Sequence, residues 1–172
     1  MRSSILYEKE VEIIKNTPTH YFATYKQVNV ISLNYASKHV HEASIAYNII
    51  QIAIKVATEN KAKKINRITI VVGELNFLDL EALKFAFEVL VENTMAEKAE
   101  LGIKLVPAKF KCLKCGEEWE FSSSKIMNNA VNKIHFTPEL IVDYLKCPRC
   151  NSNEFEIING KELYVENIEV TI

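Results

Sequence analysis

The clearest hydrophobic pattern in the chain follows Glu42 and has the period of an α-helix. Its apolar residues recur at intervals of three and four positions: Ile45, Ala46, Ile49, Ile50, Ala53, Val56 and Ala57. This spacing collects them on one face of a helix, which leaves water only by packing against another element. The pattern predicts an amphipathic helix that begins near Glu42 and ends near Asn60.

Three later segments alternate apolar and polar residues, which is the period of a β-strand. They are "INRITIVVGEL", "ELGIKLVP" and the terminal "NIEVTI". In the last of these, Ile168, Val170 and Ile172 lie on one face. A terminal strand this regular needs a sheet, so we predict that it joins the sheet that begins at Ile65.

A second helix and a hairpin complete the regular elements. Asp79 is a suitable N-cap for a helix between the first two strands. The predicted buried face of this helix consists of Leu80, Leu83, Phe87 and Leu90. Further on, Asn159 and Gly160 form the residue pair that favours a two-residue turn, which predicts a tight hairpin.

All four cysteines lie in two C-x-x-C motifs, "CLKCG" with Cys112 and Cys115 and "CPRC" with Cys147 and Cys150. Two intervening residues let both sulfurs of a motif point the same way, so four thiolates can surround one tetrahedral zinc ion. Such a zinc has no open position and is structural. Two alternatives remain: an iron site, and a pair of redox-active dithiols without the usual βαβ setting.

Together these elements predict an α+β fold. A small domain of two helices and a three-stranded sheet carries an inserted zinc-ribbon-like β module. The predicted boundaries are residues 1–39 for an N-terminal extension, 40–107 plus 161–172 for the α/β domain, and 108–160 for the zinc-binding domain. Within that module, the spacer 122–145 is compatible with a short helix or a loop.

The charge balance argues against nucleic-acid and membrane partners. The formal net charge is −1, and basic and acidic side chains are equal in number within the inserted module. A module without net positive charge displaces no counterions from a phosphate backbone. No apolar run approaches the about 20 residues that span a bilayer, and the first residues lack the apolar core of a secretion signal. We expect a cytoplasmic protein whose zinc module faces other proteins.

His41 and Glu42 stand where the first helix is predicted to begin. The helix dipole favours an acidic residue there, so Glu42 has a purely structural explanation, and His41 can simply be exposed. An enzyme that uses the two as acid and base is a poor alternative. The chain has no nucleophile–base pair or phosphate loop, and a helix start on a small domain is poorly placed to form a deep pocket. We therefore predict that the protein is not an enzyme.

The stretches "HEASIAYNII" and "ITIVVGELNFLDLEALKFAFEVL", followed by the two C-x-x-C motifs, resemble the HypA/HybF family of hydrogenase maturation proteins. The resemblance extends from about Val40 to Ile172. It implies a nickel metallochaperone that delivers Ni²⁺ to the large subunit of nickel–iron hydrogenase together with a nickel-handling GTPase. Some relatives also serve urease.

The resemblance assigns site residues by position. His41 matches the nickel-binding histidine, and Glu42 matches the acid beside it. The four cysteines match the ligands of a structural Zn²⁺: Cys112, Cys115, Cys147 and Cys150. The two strands that connect the inserted module also permit exchange between chains, and hence a homodimer. The alternative function is a zinc-ribbon adaptor for protein partners without nickel cargo.

The sequence departs from the family pattern in two places. The spacer between the cysteine motifs is longer than in most of the family, but loop length costs closure entropy only slowly, so the zinc site is unaffected. Position 40 is valine where the family has its initiator methionine. A GTG codon reads as valine inside a gene and as methionine at its start. We therefore expect the natural chain to begin at position 40, with residues 1–39 from an over-extended reading frame. The alternative is a genuine extension in which "YKQVNVISLNY" forms an extra edge strand.

Mass spectrometry of the N-terminal peptide, on protein purified from its native cells, tests this expectation. We expect a peptide that begins at position 40 with methionine in place of valine. A native peptide from upstream of that position would show instead that the extension is translated.

Overall fold

The computed structural model describes residues 11–17, 20–29, 42–121 and 145–172. The chain divides into two compact units. The first consists of Met1–Val71, Asp79–Lys104 and Leu163–Ile172, and the second of Val72–Leu78 and Leu105–Glu162. Neither helix in the described ranges is long and apolar enough to cross a membrane.

Helix α1 spans Glu42–Glu59, as the sequence predicts. All seven residues of the predicted apolar stripe are buried. The helix ends where Lys61 adopts a left-handed φ of 57° and the Ala62 N–H donates to the Ala57 carbonyl at 2.9 Å. This left-handed cap satisfies a carbonyl group that the helix itself leaves without a partner.

Helix α2 spans Leu80–Leu90, and Asp79 is its N-cap, as predicted. The Asp79 carboxylate accepts hydrogen bonds from two backbone N–H groups of the first turn, those of Glu81 and Ala82. Leu83 and Phe87 are buried, but the prediction for Leu90 is wrong because its side chain is 36% exposed. The helix ends at that residue, and the next one, Val91, is buried in its place.

Eight strands are described, in two sheets. They are β1 (Val11–Thr17), β2 (His20–Asn29), β3 (Lys64–Gly73), β4 (Glu100–Val106), β5 (Ala108–Cys112), β6 (Glu118–Phe121), β7 (Phe155–Asn159) and β8 (Leu163–Thr171). The larger sheet has the order β1-β2-β8-β3-β4, and the smaller sheet has the order β6-β5-β7. The α+β fold is therefore confirmed, as are the three predicted strands β3, β4 and β8.

The predicted hairpin at Asn159–Gly160 is wrong, because β7 and β8 lie in different sheets. The Gly160 carbonyl accepts a hydrogen bond from the Leu75 N–H at 2.8 Å, and the Gly160 N–H donates to the Glu162 carboxylate at 2.7 Å. A Cβ on Gly73 would lie 2.2 Å from the Gly160 carbonyl. This close approach of two backbones requires glycine at position 73 and uses the groups that a hairpin ladder would need.

Two strands of the larger sheet come from the N-terminal extension. β1 pairs antiparallel with β2, and β2 pairs antiparallel with β8. Between Thr24 and Val28 the pairing of β2 with β8 shifts register. Part of the stretch that could form an extra edge strand thus lies in β2, and the rest lies outside the described residues. Where the natural chain begins stays a prediction.

Substitution of two phenylalanines in α2 tests which face of the helix supports the fold. Phe87 is 1% exposed and Phe85 is 69% exposed. We expect Phe87→Ala to lower the free energy of unfolding by about 3–5 kcal/mol, because it leaves a cavity in the core. Phe85→Ala, the matched control, should change it by no more than about 0.5 kcal/mol. Urea unfolding followed by circular dichroism measures both, and equal losses would contradict the assigned faces.

Candidate metal centre and helix start

The four cysteines are brought together by two turns in the second unit. Cys112 ends β5, and its turn leads into β6, which pairs antiparallel with β5. Cys147 begins the second turn, which leads towards β7 on the other side of β5. The Leu113 N–H donates to the Glu154 carbonyl at 3.0 Å and so links the two turns. Motifs far apart in the chain therefore face each other across one small sheet.

Each of the two turns is closed by a backbone hydrogen bond of the same pattern. In the first, the Gly116 N–H donates to the Cys112 carbonyl at 3.0 Å, and in the second, the Asn151 N–H donates to the Cys147 carbonyl at 2.9 Å. Gly116 has a φ of 74° and Asn151 a φ of 60°. Glycine and asparagine are the residues that best tolerate this left-handed conformation. Gly116 is predictable from the sequence, but Asn151 was missed, although its position four residues after Cys147 matches that of Gly116.

The sulfur geometry fits a tetrahedral ion. All four Sγ atoms lie within 4.8 Å of one another, and no other group of metal-ligating side chains forms in the described part of the chain. The Sγ atoms of Cys112 and Cys150 are 3.6 Å apart, as are those of Cys115 and Cys147. A tetrahedral zinc–thiolate site with bonds of about 2.3 Å separates its sulfurs by about 3.8 Å. The donor set and its spacing therefore suit zinc.

The ionisation of these thiols shows why a cation belongs among them. Burial opposes ionisation of Cys112, but hydrogen bonds from backbone N–H groups and from the thiols of Cys150 and Cys115 lower its pKa to about 7. The Glu117 backbone N–H favours a Cys115 thiolate, yet burial and the neighbouring sulfurs, that of Cys147 first, raise the pKa of Cys115 to about 12. The pKa values of these two neighbouring thiols are thus shifted in opposite directions. A divalent cation among the sulfurs would favour the thiolate form of both.

A small core supports the site. Its buried residues are Leu75, Ala108, Phe110 and Leu145, and Phe77, Trp119, Phe155 and Ile157 pack against them. The Phe110 and Trp119 rings stack with centroids 5.6 Å apart, and Phe155 meets both rings edge-on. Trp119 follows the first cysteine motif closely in the sequence, but nothing in the sequence indicates that Leu75 and Phe77, which precede α2, belong to this core. Phe121 side-chain contacts lie outside the described residues.

The start of α1 is the second candidate site. Glu42 is its first residue, and the Glu42 carboxylate accepts a hydrogen bond from the Asp79 backbone N–H at 3.2 Å. Because Asp79 is the N-cap of α2, this contact ties the beginnings of the two helices together. His41 lies outside the described residues, as do His20's side chain, His39 and His135. The structure thus gives the surroundings of Glu42 but not those of the predicted nickel histidine.

Comparison with known proteins gives these two sites a context. Residues 40–170 match the family model described as "Hydrogenase/urease nickel incorporation, metallochaperone, hypA". The chain is 39% identical over 134 residues to the hydrogenase maturation factor HypA of Ignicoccus hospitalis. It is 35% identical over 133 residues to that of Pyrococcus horikoshii. Each match covers 76% of this chain and 96% of the relative. The chain belongs to the HypA family.

A solved HypA structure has the same fold. "Solution structure of HypA protein" aligns with a TM-score of 0.50 and 23% identity, over 76% of this chain and 95% of that one. The HypA match begins at Val40, so residues 1–39 lie outside it. The family is one of nickel-incorporating metallochaperones and maturation factors, and the four-cysteine cluster of this member is able to hold a metal such as zinc.

Replacing one cysteine of the cluster tests whether it acts as a metal centre. We expect Cys112→Ser to reduce zinc affinity by more than about 100-fold, since loss of a ligand should exceed the loss caused by outer contacts. The second unit should then unfold, because metal binding and folding are coupled in such sites. Zinc content by mass spectrometry and Trp119 fluorescence report the two effects. Lys114→Ser, an exposed change between the same two cysteines, is the control, and equal zinc retention by both variants would refute the assignment.

Proposed function

We propose that this protein is a nickel metallochaperone for nickel–iron hydrogenase maturation. It binds Ni²⁺ through His41 at the start of α1 and delivers it to the hydrogenase large subunit with a nickel-handling GTPase. Cys112, Cys115, Cys147 and Cys150 hold a structural zinc ion. The observation that carries this proposal is the family match, which begins one residue before His41 and includes all four cysteines.

The cysteine cluster is poorly suited to carry a transferable nickel ion. Four sulfurs within 4.8 Å of one another complete the coordination of a tetrahedral ion. Cys112 and Cys147 are buried, and backbone hydrogen bonds hold both turns. An ion enclosed in this way cannot be handed on without dismantling the unit. A transferable ion needs fewer protein ligands and a position open to a recipient.

The start of α1 offers such a position. The first N–H groups of a helix have no intrahelical partner, so the backbone there can bind a metal without breaking the helix. Ni²⁺ favours square-planar nitrogen ligands, which His41, nearby amides and a terminal amine at position 40 would supply. The positive end of the helix dipole disfavours a protonated imidazole, which leaves the ring nitrogen available to the metal.

Glu42 serves this site as the adjacent carboxylate. Its hydrogen bond from the Asp79 N–H fixes the first turn of α1 against the cap of α2. We propose that this contact keeps the His41 end of the helix in one position while the ion is held. Glu42 therefore contributes through its placement of the helix start, whether or not it also contacts nickel.

The partners follow from the same proposal. They are the maturation GTPase and the hydrogenase large subunit, in the cytoplasm, where paired cysteines serve as metal ligands and not as disulfides. A homodimer formed by exchange of the zinc-binding domain (residues 108–160) is part of the proposal, with the boundaries given by the sequence. The protein would bind and transfer an ion and catalyse no reaction.

A nickel titration of the zinc-loaded chain tests the function. With the chain started at position 40, we expect one equivalent of nickel to bind with the visible absorption of a square-planar ion. His41→Ala should reduce the affinity by more than about 100-fold, because it removes a direct ligand. The full-length chain should bind more weakly, since its position 40 carries no free amine.

His135→Ala is the matched control, because it removes a histidine from the spacer and leaves the helix start intact. Undiminished nickel binding by His41→Ala would refute the proposed site. Absence of nickel binding in every chain, with zinc retained, would favour the zinc-ribbon adaptor.

A further inference from the structure

The outer face of α2 exposes large apolar side chains that the fold does not use. Phe85 is 69% exposed and Val89, one turn later, is 50% exposed. Residues four positions apart are neighbours on a helix, so the two side chains form one stripe. Leu83 and Phe87, on the opposite face, are 0% and 1% exposed and pack into the core. We call Phe85 and Val89, with the exposed Ala82 beside them, the α2 stripe.

Acidic side chains surround this stripe. Glu81 and Glu88 are exposed and fall on the same side of the helix, four positions before and three after Phe85, and the exposed Glu92 follows two residues after the end of α2. The single lysine of α2, Lys84, is paired with Glu81 at 2.8 Å. Within the described ranges, Glu88 and Glu92 make no ion pair. The stripe therefore carries a net negative rim.

Glu88 and Glu92 lie at the C-terminal end of α2, where negative charge destabilises a helix. Carbonyl groups give the C-terminal end of a helix partial negative charge, which basic residues stabilise and acidic residues destabilise. The last turn of α2 contains no basic residue, and Glu88 and Glu92 lie in or just beyond it. The apolar stripe is not buried in the core, and the acidic residues at this end do not complement the helix dipole. An apolar patch with a charged rim is typical of a protein-binding surface.

We propose that the α2 stripe binds an amphipathic, positively charged helix of a partner protein. The apolar face of such a helix covers Phe85 and Val89, and its lysine or arginine side chains pair with Glu88 and Glu92 near the negative end of α2. A second copy of this chain is a poor occupant, since it would place acidic rims against each other. None of the residues proposed to bind a metal belongs to the α2 stripe, so the inference can be tested without nickel.

The size of the surface sets the expected affinity. The eleven residues of α2 extend about 16 Å, which suits a contact of about three helical turns. Such an interface is smaller than the standard protein–protein interface, and interfaces of this class are transient. A dissociation constant on the order of micromolar is therefore expected.

The test uses the zinc-loaded full chain, labelled with nitrogen-15, and two synthetic probes. One probe is a helical peptide of leucine and lysine with leucine at helical spacing, and the other has glutamate in place of lysine. The lysine peptide should shift the amide resonances of α2, and Phe85→Ser should weaken its binding at least tenfold. Glu88→Gln with Glu92→Gln should weaken it and reduce its salt dependence. Leu113→Ser, at an apolar residue that is 64% exposed in the second unit, is the matched control and should have no effect.

Each contrary outcome overturns the inference. Equal binding of the glutamate peptide would show that the rim does not select a basic partner. Resonance shifts centred outside α2, or unchanged binding in Phe85→Ser, would show that the stripe is not the surface used. Self-association of the chain in sedimentation experiments, abolished by Phe85→Ser, would assign the stripe to a second copy. Because Phe85 is exposed, the variant should keep its fold, which circular dichroism verifies.

Discussion

The close approach of four cysteine sulfur atoms, all within 4.8 Å of one another, is the constraint on which the second unit depends. Short strands and a few aromatic rings bury too little apolar surface to hold two distant turns together unaided. The neighbouring sulfurs favour the thiolate at Cys112 and oppose it at Cys115, so the pKa values of these two thiols shift in opposite directions. A divalent cation would favour the thiolate form of both, and the backbone hydrogen bonds of the two turns hold the sulfurs close together.

This constraint also distinguishes the structural role proposed for the cysteine cluster from the transfer role proposed for the start of α1. A site that stabilises its unit by enclosing an ion would not release the ion freely, so under the proposed function the transferable metal binds elsewhere. The proposed cargo site at the start of α1 has the opposite character, because helix-end amides and one imidazole hold an ion loosely. The contact of Glu42 with the cap of α2 gives that site a fixed base, and α2 then presents the stripe proposed for a partner. The proposed nickel binding and the proposed partner binding would thus use different parts of the α1–α2 pair.

Much of this arrangement was predictable because it rests on local patterns. The sequence shows directly the helical period of α1 and the alternation of β3 and β8. The cap of α2 follows from the residue type at Asp79. The cysteine spacing predicted one four-sulfur cluster, and the structure brings the four sulfurs together. Predictions failed where a residue's role is set by a distant segment. Gly160 is not part of a hairpin turn, because its carbonyl accepts a hydrogen bond from the Leu75 N–H and its own N–H donates to the Glu162 carboxylate. Leu90 is a local failure, because α2 ends at that residue and its side chain is exposed.

The sequence by itself determined both helices, strands β3, β4 and β8, the two C-x-x-C motifs and the family resemblance, since each depends on residues close together or on a motif of fixed spacing. The tertiary structure decided which strands share a sheet and that Asn151 repeats the role of Gly116. It also decided that Leu75 and Phe77 join the core beside the cysteines, and that Glu42 meets Asp79. These are contacts between segments remote in the chain. Periodicity in the sequence indicates which face of a helix or strand is apolar. Which other element packs against that face is determined only by the tertiary structure.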